Sequence, residues 1–394
     1  MDVREEAVQK KLELGGFLTT GTKYPLKDAH DLSVAYTPGV AEPCLRIKEK
    51  EELSFDLTCR GNMVAVVSDG TRVLGLGDIG AAAAIPVMEG KSLLFKRFGN
   101  VDCVPLVLDT KDPEEIIRTV KLVQKNFAGI NLEDISSPKC YEIENRLKEE
   151  LEIPVFHDDQ HGTAIACLAG VEAALRFVKK DLTKVKIVVN GAGAAGANIA
   201  RLLYLAGARD ITLMVSSGVL NKNYKRLAPL QAELIKLLHQ EEKTGTLAEV
   251  ANGADVLLGV SAAGVFTEDI LKNLAEDSIV FAMANPVPEV MYDVAKKCGV
   301  RVAGTGRSDA PNQINNVNVF PGVFRGAIDV HASKINDEMK LAAAEALANL
   351  VADEDLREDY VVANAFDERV PLVVARAVAE TAVKTGVARC DLQK

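Results

Sequence analysis

The sequence predicts an α/β protein with two working parts. A Rossmann-like, doubly wound dinucleotide-binding domain follows an N-terminal α/β domain for substrate and metal, and a helical tail closes the chain. Three observations predict this. From Cys103 onward, short apolar strands alternate with helical segments, the pattern of βαβ units around a parallel sheet. The turn Gly191-Ala192-Gly193-Ala194-Ala195-Gly196 lies between a predicted strand and a predicted helix, the context that gives G-x-G-x-x-G its meaning. Two acidic pairs, Glu133-Asp134 and Asp158-Asp159, follow successive strands, and ligands of such sheets bind beyond those strand ends.

A chain of 394 residues accommodates two or three domains, and we divide it at residues 1–160 and 161–394. Nearly half of it is apolar, 48%, enough for full-sized cores. The formal charge of −10 with no basic stripe speaks against nucleic acid as a partner. No apolar run approaches the ~18 residues of a membrane span, and the acidic start Met1-Asp2-Val3-Arg4-Glu5-Glu6 suits neither a secretory signal nor a transit peptide. The seven cysteines are odd in number and lack a C-x-x-C pair, as expected of reduced thiols in a soluble cytoplasmic protein.

The chain begins with a charged helix at about Val3 to Leu14. In Ser33-Val34-Ala35-Tyr36-Thr37-Pro38-Gly39, Thr37 and Pro38 read as N-cap and first residue of a helix reaching about Lys50. Tyr36 then stands just ahead of a positive helix end, which favours an ionised or strongly hydrogen-bonded phenol. A buried tyrosine bonded to backbone is the plainer reading. Met63–Ser68 is a strand, Asp69-Gly70-Thr71 a hairpin turn, and Arg72–Leu76 the return strand. Arg72 reads as a surface charge or as a fork for a substrate carboxylate. A helix starts near Ile79 and ends around Met88-Glu89-Gly90-Lys91. Lys91 is either a lysine snorkelling from a helix end or, desolvated by its apolar neighbours, a base of lowered pKa.

The α/β part runs as strand Val104–Leu108, helix Pro113–Asn126, strand Gly129–Leu132, helix Pro138–Glu150, strand Val155-Phe156 and helix Thr163–Val178. On an extended segment adjacent side chains point to opposite faces, so Asp158 and Asp159 serve different ends. Acids after strands commonly cap the next helix. Three carboxylates from two strand ends also repel unless a hard, oxygen-loving ion such as Mg²⁺ or Mn²⁺ lies among them.

Strand Val185–Asn190 leads into the glycine turn and a helix through Leu205. The glycines allow a tight turn and the approach of a pyrophosphate to the helix N-terminus. Strand Ile211–Val215 ends in Ser216-Ser217-Gly218, where an acid for the ribose 2′-hydroxyl is expected and absent. Hydroxyls of Ser216 and Ser217, with Lys222, Lys225 or Arg226 nearby, suit a 2′-phosphate better, which favours NADP over NAD. Strands Asp255–Ser261, Ser278–Ala284 and Arg301–Gly304 follow, then helices from about Pro321 that include Val370–Thr385. Asn285 and Asn316 read as loop-capping asparagines, unless both face the nicotinamide.

Taken together, Tyr36-Thr37-Pro38-Gly39-Val40-Ala41, Gly75-Leu76-Gly77-Asp78-Ile79-Gly80, Glu133-Asp134, His157-Asp158-Asp159-Gln160-His161-Gly162-Thr163, the Gly191 turn and Val319-Phe320-Pro321-Gly322 resemble the malic enzyme family in its shorter microbial form, in the family's order. The resemblance implies Tyr36 as general acid and Lys91 as general base. It implies Glu133, Asp134 and Asp159 as metal ligands with Asp158 beside them, and Arg72, Asn285 and Asn316 as contacts to the dicarboxylate. Malate and pyruvate are the implied small-molecule partners, and a homodimer or higher homo-oligomer the implied assembly. A malolactic enzyme, another metal-assisted 2-hydroxy-acid dehydrogenase, or a nucleotide-sensing protein without catalysis would share many of these residues. The departure at Val215-Ser216-Ser217 leaves NAD against NADP open.

Overall fold

The described residues, 2–225 and 227–392 of a computed structural model, form two β-sheets joined by a long buried helix. The N-terminal arm carries α1 (Val3–Leu14), α2 (Ala29–Ala35) and α3 (Ala41–Glu49), followed by the short α4 (Ser54–Leu57). The first sheet is built from β1 (Met63–Ser68), β2 (Asp102–Val107), β3 (Gly129–Leu132) and β4 (Val155–His157), with α5 (Ala81–Gly99), α6 (Pro113–Val123) and α7 (Lys139–Glu150) connecting them. Its order is β2-β1-β3-β4, all parallel. The order reverses at β1 and β3, so the crevice beyond their carboxyl ends is where a ligand belongs.

Helix α8 (Asp158–Val178) leads to the second sheet: β5 (Lys186–Asn190), α9 (Ala194–Leu205), β6 (Asp210–Val215), β7 (Gly218–Val219), α10 (Pro229–Leu237), α11 (Leu247–Ala251), β8 (Val256–Gly259), α12 (Glu268–Lys272), β9 (Ile279–Ala282), α13 (Tyr292–Lys297) and β10 (Val302–Thr305). Strand order β10-β9-β8-β5-β6-β7 is parallel except for β7, and the reversal between β5 and β8 sets the glycine turn over a second crevice. The tail is α14 (Phe320–Asp329), α15 (Asp337–Ala348) and α16 (Arg369–Lys384). It does not trail away. Helix α14 packs on α5 of the first sheet, with Phe95 4.6 Å from Phe320 and 5.2 Å from Phe324 between ring centroids.

Between Ala164 and Leu175 helix α8 is apolar except for Glu172, and it packs against α9, α15, β4 and β9. By length and composition it is the described helix that could cross a membrane, yet 72% of that window is buried inside the protein. At the other extreme, no described residue from 2 to 53 is buried, although Leu12, Leu26, Leu32, Val34 and Leu45 are apolar.

Four local expectations need correction. The hairpin at Asp69-Gly70-Thr71 does not form: β1 is hydrogen-bonded on both edges, by β2 and β3, so no edge is left for a return strand. Arg72–Leu76 is a loop with an isolated Val73–Gly77 bridge. Gly90 does not stop α5, which runs on to Gly99 because Ala84, Met88, Lys91, Ser92 and Phe95 form one buried stripe at helical spacing. Pro38 does not open a helix. The turn Thr37–Val40 intervenes, α3 starts at Ala41, and Tyr36 caps the carboxyl end of α2, its N–H donating to the Leu32 carbonyl at 2.9 Å. Finally, α8 starts at Asp158 rather than Thr163, so the two aspartates are successive residues of a first helical turn, about 100° apart around the axis.

Candidate active site

Register brings the acids together. Leu132 of β3 pairs with His157 of β4, so Glu133 and Asp158, one residue further along each strand path, leave the sheet side by side. Asp158 turns inward and is fully buried, whereas the Asp159 side chain is 38% exposed. Asp134 takes a left-handed backbone, φ 54°, a conformation in which Asp is among the better-tolerated residues. Its N–H donates to Asp159 Oδ2 at 2.8 Å, and its carbonyl accepts from the Arg72 N–H at 3.0 Å. Two strand ends and the Arg72 loop are thereby tied at one point. Glycine at 162 keeps this corner close: a Cβ there would lie 1.8 Å from Asp158 Oδ1 and 3.0 Å from Asn316 Cβ.

Into this corner the buried stripe of α5 delivers Lys91. Its ammonium stands 2.5 Å from Asp158 Oδ2, 2.8 Å from Glu133 Oε1 and 4.2 Å above the Phe320 ring. Burial alone works to lower its pKa, but Asp158, Glu133 and Asp159 outweigh that and push it above the ordinary lysine range. The expectation of a lysine made acidic by apolar surroundings is therefore overturned. One ammonium does not balance the negative groups around it. Burial, with repulsion from the other carboxylates, raises Glu133 well above the usual range. Asp134 is pushed up to about 7 by burial and Asp159, and Asp158 to about 6 by burial, against the pull of Lys91.

A cavity of about 550 Å³ opens over the cluster. Arg72, Lys91, Glu133, Asp134 and Asp159 line one side, Asn316 borders them, and Gly193, Ala194, Ala195, Gly196 and Asn285 line the other. The structure thus unites eleven residues singled out from the sequence. Asp158 lies beneath the cavity, holding Lys91, and Gly191 forms the floor of the glycine turn. Gly191 has φ 117°, and a Cβ on Gly196 would lie 1.7 Å from the Gly191 carbonyl oxygen, so only glycine fits at both positions. Gly193, the N-cap of α9, meets nothing within 4 Å on its Cβ side. That open space in front of a helix N-terminus fits a pyrophosphate.

Besides Asp158 and Gly191, three expected residues do not line the cavity. Tyr36 is 68% exposed on the arm. Ser216 and Ser217 are exposed in the β6–β7 turn, although the Gly191 N–H donates to Met214 O at 3.1 Å and so keeps the end of β6 beside the glycine turn. Lys222 is paired with Glu242, Lys225 is exposed, and Arg226 lies outside the described residues.

Among the described residues no group of three or more His, Cys, Asp or Glu side chains is arranged to hold a metal ion. Lys91 supplies the positive charge instead. The donor set still fits a hard cation: all the ligating atoms are oxygens, Asp134 Oδ2 is buried without a hydrogen-bond partner, and the carboxylates share a surplus of negative charge.

Sequence reading missed several supporting groups. Buried Glu144 of α7 accepts from the His157 N–H at 3.2 Å and pairs with His161 at 2.8 Å and Lys148 at 2.6 Å, fixing the turn that carries both aspartates. Asn131 donates to Glu133 Oε2 at 2.8 Å. Asn198 of α9 donates to Gln160 of α8 at 3.1 Å, linking the acidic turn to the nucleotide helix. Long-range pairs of this kind leave no local signal.

Fold and cavity together define an α/β protein of the Rossmann dinucleotide-binding class, with an acidic, lysine-bearing wall set across one cavity from the glycine turn. Comparison makes this particular. Residues 18–115 match the Malic enzyme, N-terminal domain family, and residues 160–297 and 299–383 match the Malic enzyme, NAD binding domain family. A bifunctional malic/malolactic enzyme of Bacillus subtilis is 51% identical over 390 residues, 99% of this chain and 95% of its own. An NAD-dependent malic enzyme of Geobacillus stearothermophilus is 52% identical over 380 residues, 96% of this chain and 79% of its own. The crystal structure of malic enzyme from Pyrococcus horikoshii superposes with a TM-score of 0.93 at 44% identity, covering 98% of this chain and 93% of its own. The protein belongs to the malic enzyme family. Relatives named NAD-dependent and NADP-dependent both occur.

Proposed function

We propose that this enzyme oxidises (S)-malate and decarboxylates the product to pyruvate and CO₂, reducing NADP or NAD with Mg²⁺ or Mn²⁺ held by Glu133, Asp134 and Asp159. The observation that supports it best is the single cavity that sets Lys91 and three carboxylates opposite the Gly193–Gly196 wall and Asn285. One substrate can touch both walls there. Arg72 pairs with a substrate carboxylate and fixes which end lies at the reacting centre, and Asn285 and Asn316 supply neutral donors. A divalent cation, when bound, draws electron density from the substrate oxygens and neutralises the carboxylates that pin the Lys91 proton. Lys91, its own proton first released to solvent through the open cavity, would take the C2 hydroxyl proton while a bound nicotinamide would accept the hydride from C2. Asp158, buried beneath it, keeps the Nζ aimed into the cavity and pairs with the ammonium when Lys91 is protonated again.

Protonation of the enolate carbon falls to Tyr36, whose exposure on an arm without a buried residue supports a homodimer in which a second copy covers the arm and receives Tyr36 at its own cavity. The deciding assay combines malate, Mn²⁺ and each nucleotide in turn, and follows absorbance of the reduced nicotinamide. No reduction with either nucleotide removes the proposal. The Bacillus subtilis relative, named for both activities, favours one second reading, a malolactic reaction. Lactate formed without free reduced nucleotide would select it.

A further inference from the structure

We infer that Glu289 is a positioning residue that shapes the nicotinamide end of the cavity by clamping two strand-end loops onto one carboxylate. This rests on the glycine-turn wall being the nucleotide side. Glu289 is fully buried. Its Oε1 accepts from the Ser261 N–H at 2.6 Å and the Ser261 hydroxyl at 3.2 Å, and its Oε2 accepts from the Ala284 N–H at 3.0 Å. Ser261 follows β8 and Ala284 follows β9, and both line the cavity beside Asn285. The clamp reaches the glycine turn as well: Asn190, the last residue of β5, donates to the Ser261 hydroxyl at 2.8 Å. Gly259 makes the room, since a Cβ there would lie 2.4 Å from Glu289 Cδ.

A carboxylate is required, not merely an acceptor. Two backbone N–H groups from separate loops each need an oxygen, and a carboxylate offers acceptors on both sides. Glutamine has the same shape but one oxygen. In either orientation its amide NH₂ faces a backbone N–H, so Glu289→Gln releases one loop without changing volume. Uncompensated donors are costly when buried.

The test is Glu289→Gln on the full chain, read by calorimetric titration of NADP and of NAD, by Mn²⁺-dependent KM for malate, and by hydrogen exchange of the Ser261 and Ala284 amides. We expect nucleotide binding to weaken about tenfold or more, exchange at one of the two amides to rise, and KM for malate at saturating nucleotide to stay within about twofold. Unchanged nucleotide affinity in a folded variant overturns the inference, as does an equal loss for malate and nucleotide, which would mark general loosening. If the variant does not fold, Ser261→Ala decides: it removes the hydroxyl bridge to Asn190 and should weaken nucleotide binding alone. Equal affinity of Ser261→Ala and wild type would then be the negative result. Failure of the wild type to bind either nucleotide would instead reject the parent reading.

Discussion

Lys91 and Asp158, 67 residues apart in the chain, meet at 2.5 Å with both side chains buried. One arrives on the inward stripe of α5, the other as the first residue of α8. The contact ties a buried ion pair to the residue proposed as the base, and against the pull of burial Asp158 and Glu133 raise the pKa of that lysine.

Lys91→Ala should abolish turnover, by about 10²–10⁴-fold or more, while nucleotide binding measured by calorimetry stays intact. The variant also strands Asp158 and Glu133 without their cation, a loss of roughly 3–5 kcal/mol for a buried pair. Near-normal turnover would end the assignment of the base.

Mn²⁺ should raise the melting temperature of the wild type, since an ion that binds the folded state alone stabilises it by about 2.7 kcal/mol at a hundred times its Kd. Asp134→Asn removes the unpartnered Oδ2 oxygen's charge and should cancel most of that rise. An identical Mn²⁺ shift in both proteins would place the ion elsewhere.

Val215→Asp, at the end of β6 beside the glycine turn, should move preference from NADP toward NAD, because a carboxylate there bonds the 2′-hydroxyl and repels the 2′-phosphate. The ratio of kcat/KM for the two nucleotides measures it. An unchanged ratio would show that the 2′ position lies away from Ser216 and Ser217.

Mixing Tyr36→Phe with Lys91→Ala subunits under exchange conditions should restore about a quarter of wild-type activity if each cavity takes its tyrosine from a second copy. Half the dimers would be mixed, each with one intact site. Zero recovery in verified mixed dimers would confine Tyr36 to its own chain.

Glu172 of α8 is pushed up to about 7 by burial and by the repulsion of Glu345 on α15. A carboxyl whose folded pKa is raised contributes stability below its unfolded value, and that contribution is lost as pH rises through about 7. Glu172→Gln should therefore match the wild type near the unfolded carboxyl pKa and exceed it at pH ~8, by on the order of 1 kcal/mol after screening. Urea melts at the two pH values check the crossing.

Much of the site was legible because its residues sit at element ends. Glu133, Asp134 and Asp159 follow strands, the Gly191 turn follows β5, and each motif is contiguous in the chain. What failed was punctuation. Gly90 resembled a helix stop, but a glycine interrupts no helix whose other residues keep burying one face. Asp69-Gly70-Thr71 looked like a hairpin, since local turn chemistry says nothing about whether β1 already has neighbours on both edges. Tyr36 carries no local sign of standing on an arm without a buried residue.

Composition and period determined by themselves that this chain would build parallel sheets with acids and a glycine turn at their carboxyl ends, for those signals reside in neighbouring residues. Only the tertiary structure decided the ion-pair partners of Lys91, the different burial of Asp158 and Asp159, and the hydrogen bonds gathered on Glu289. Each depends on side chains brought together from distant segments, where burial and the sum of nearby charges, rather than residue type, set the energy of a proton or a hydrogen bond.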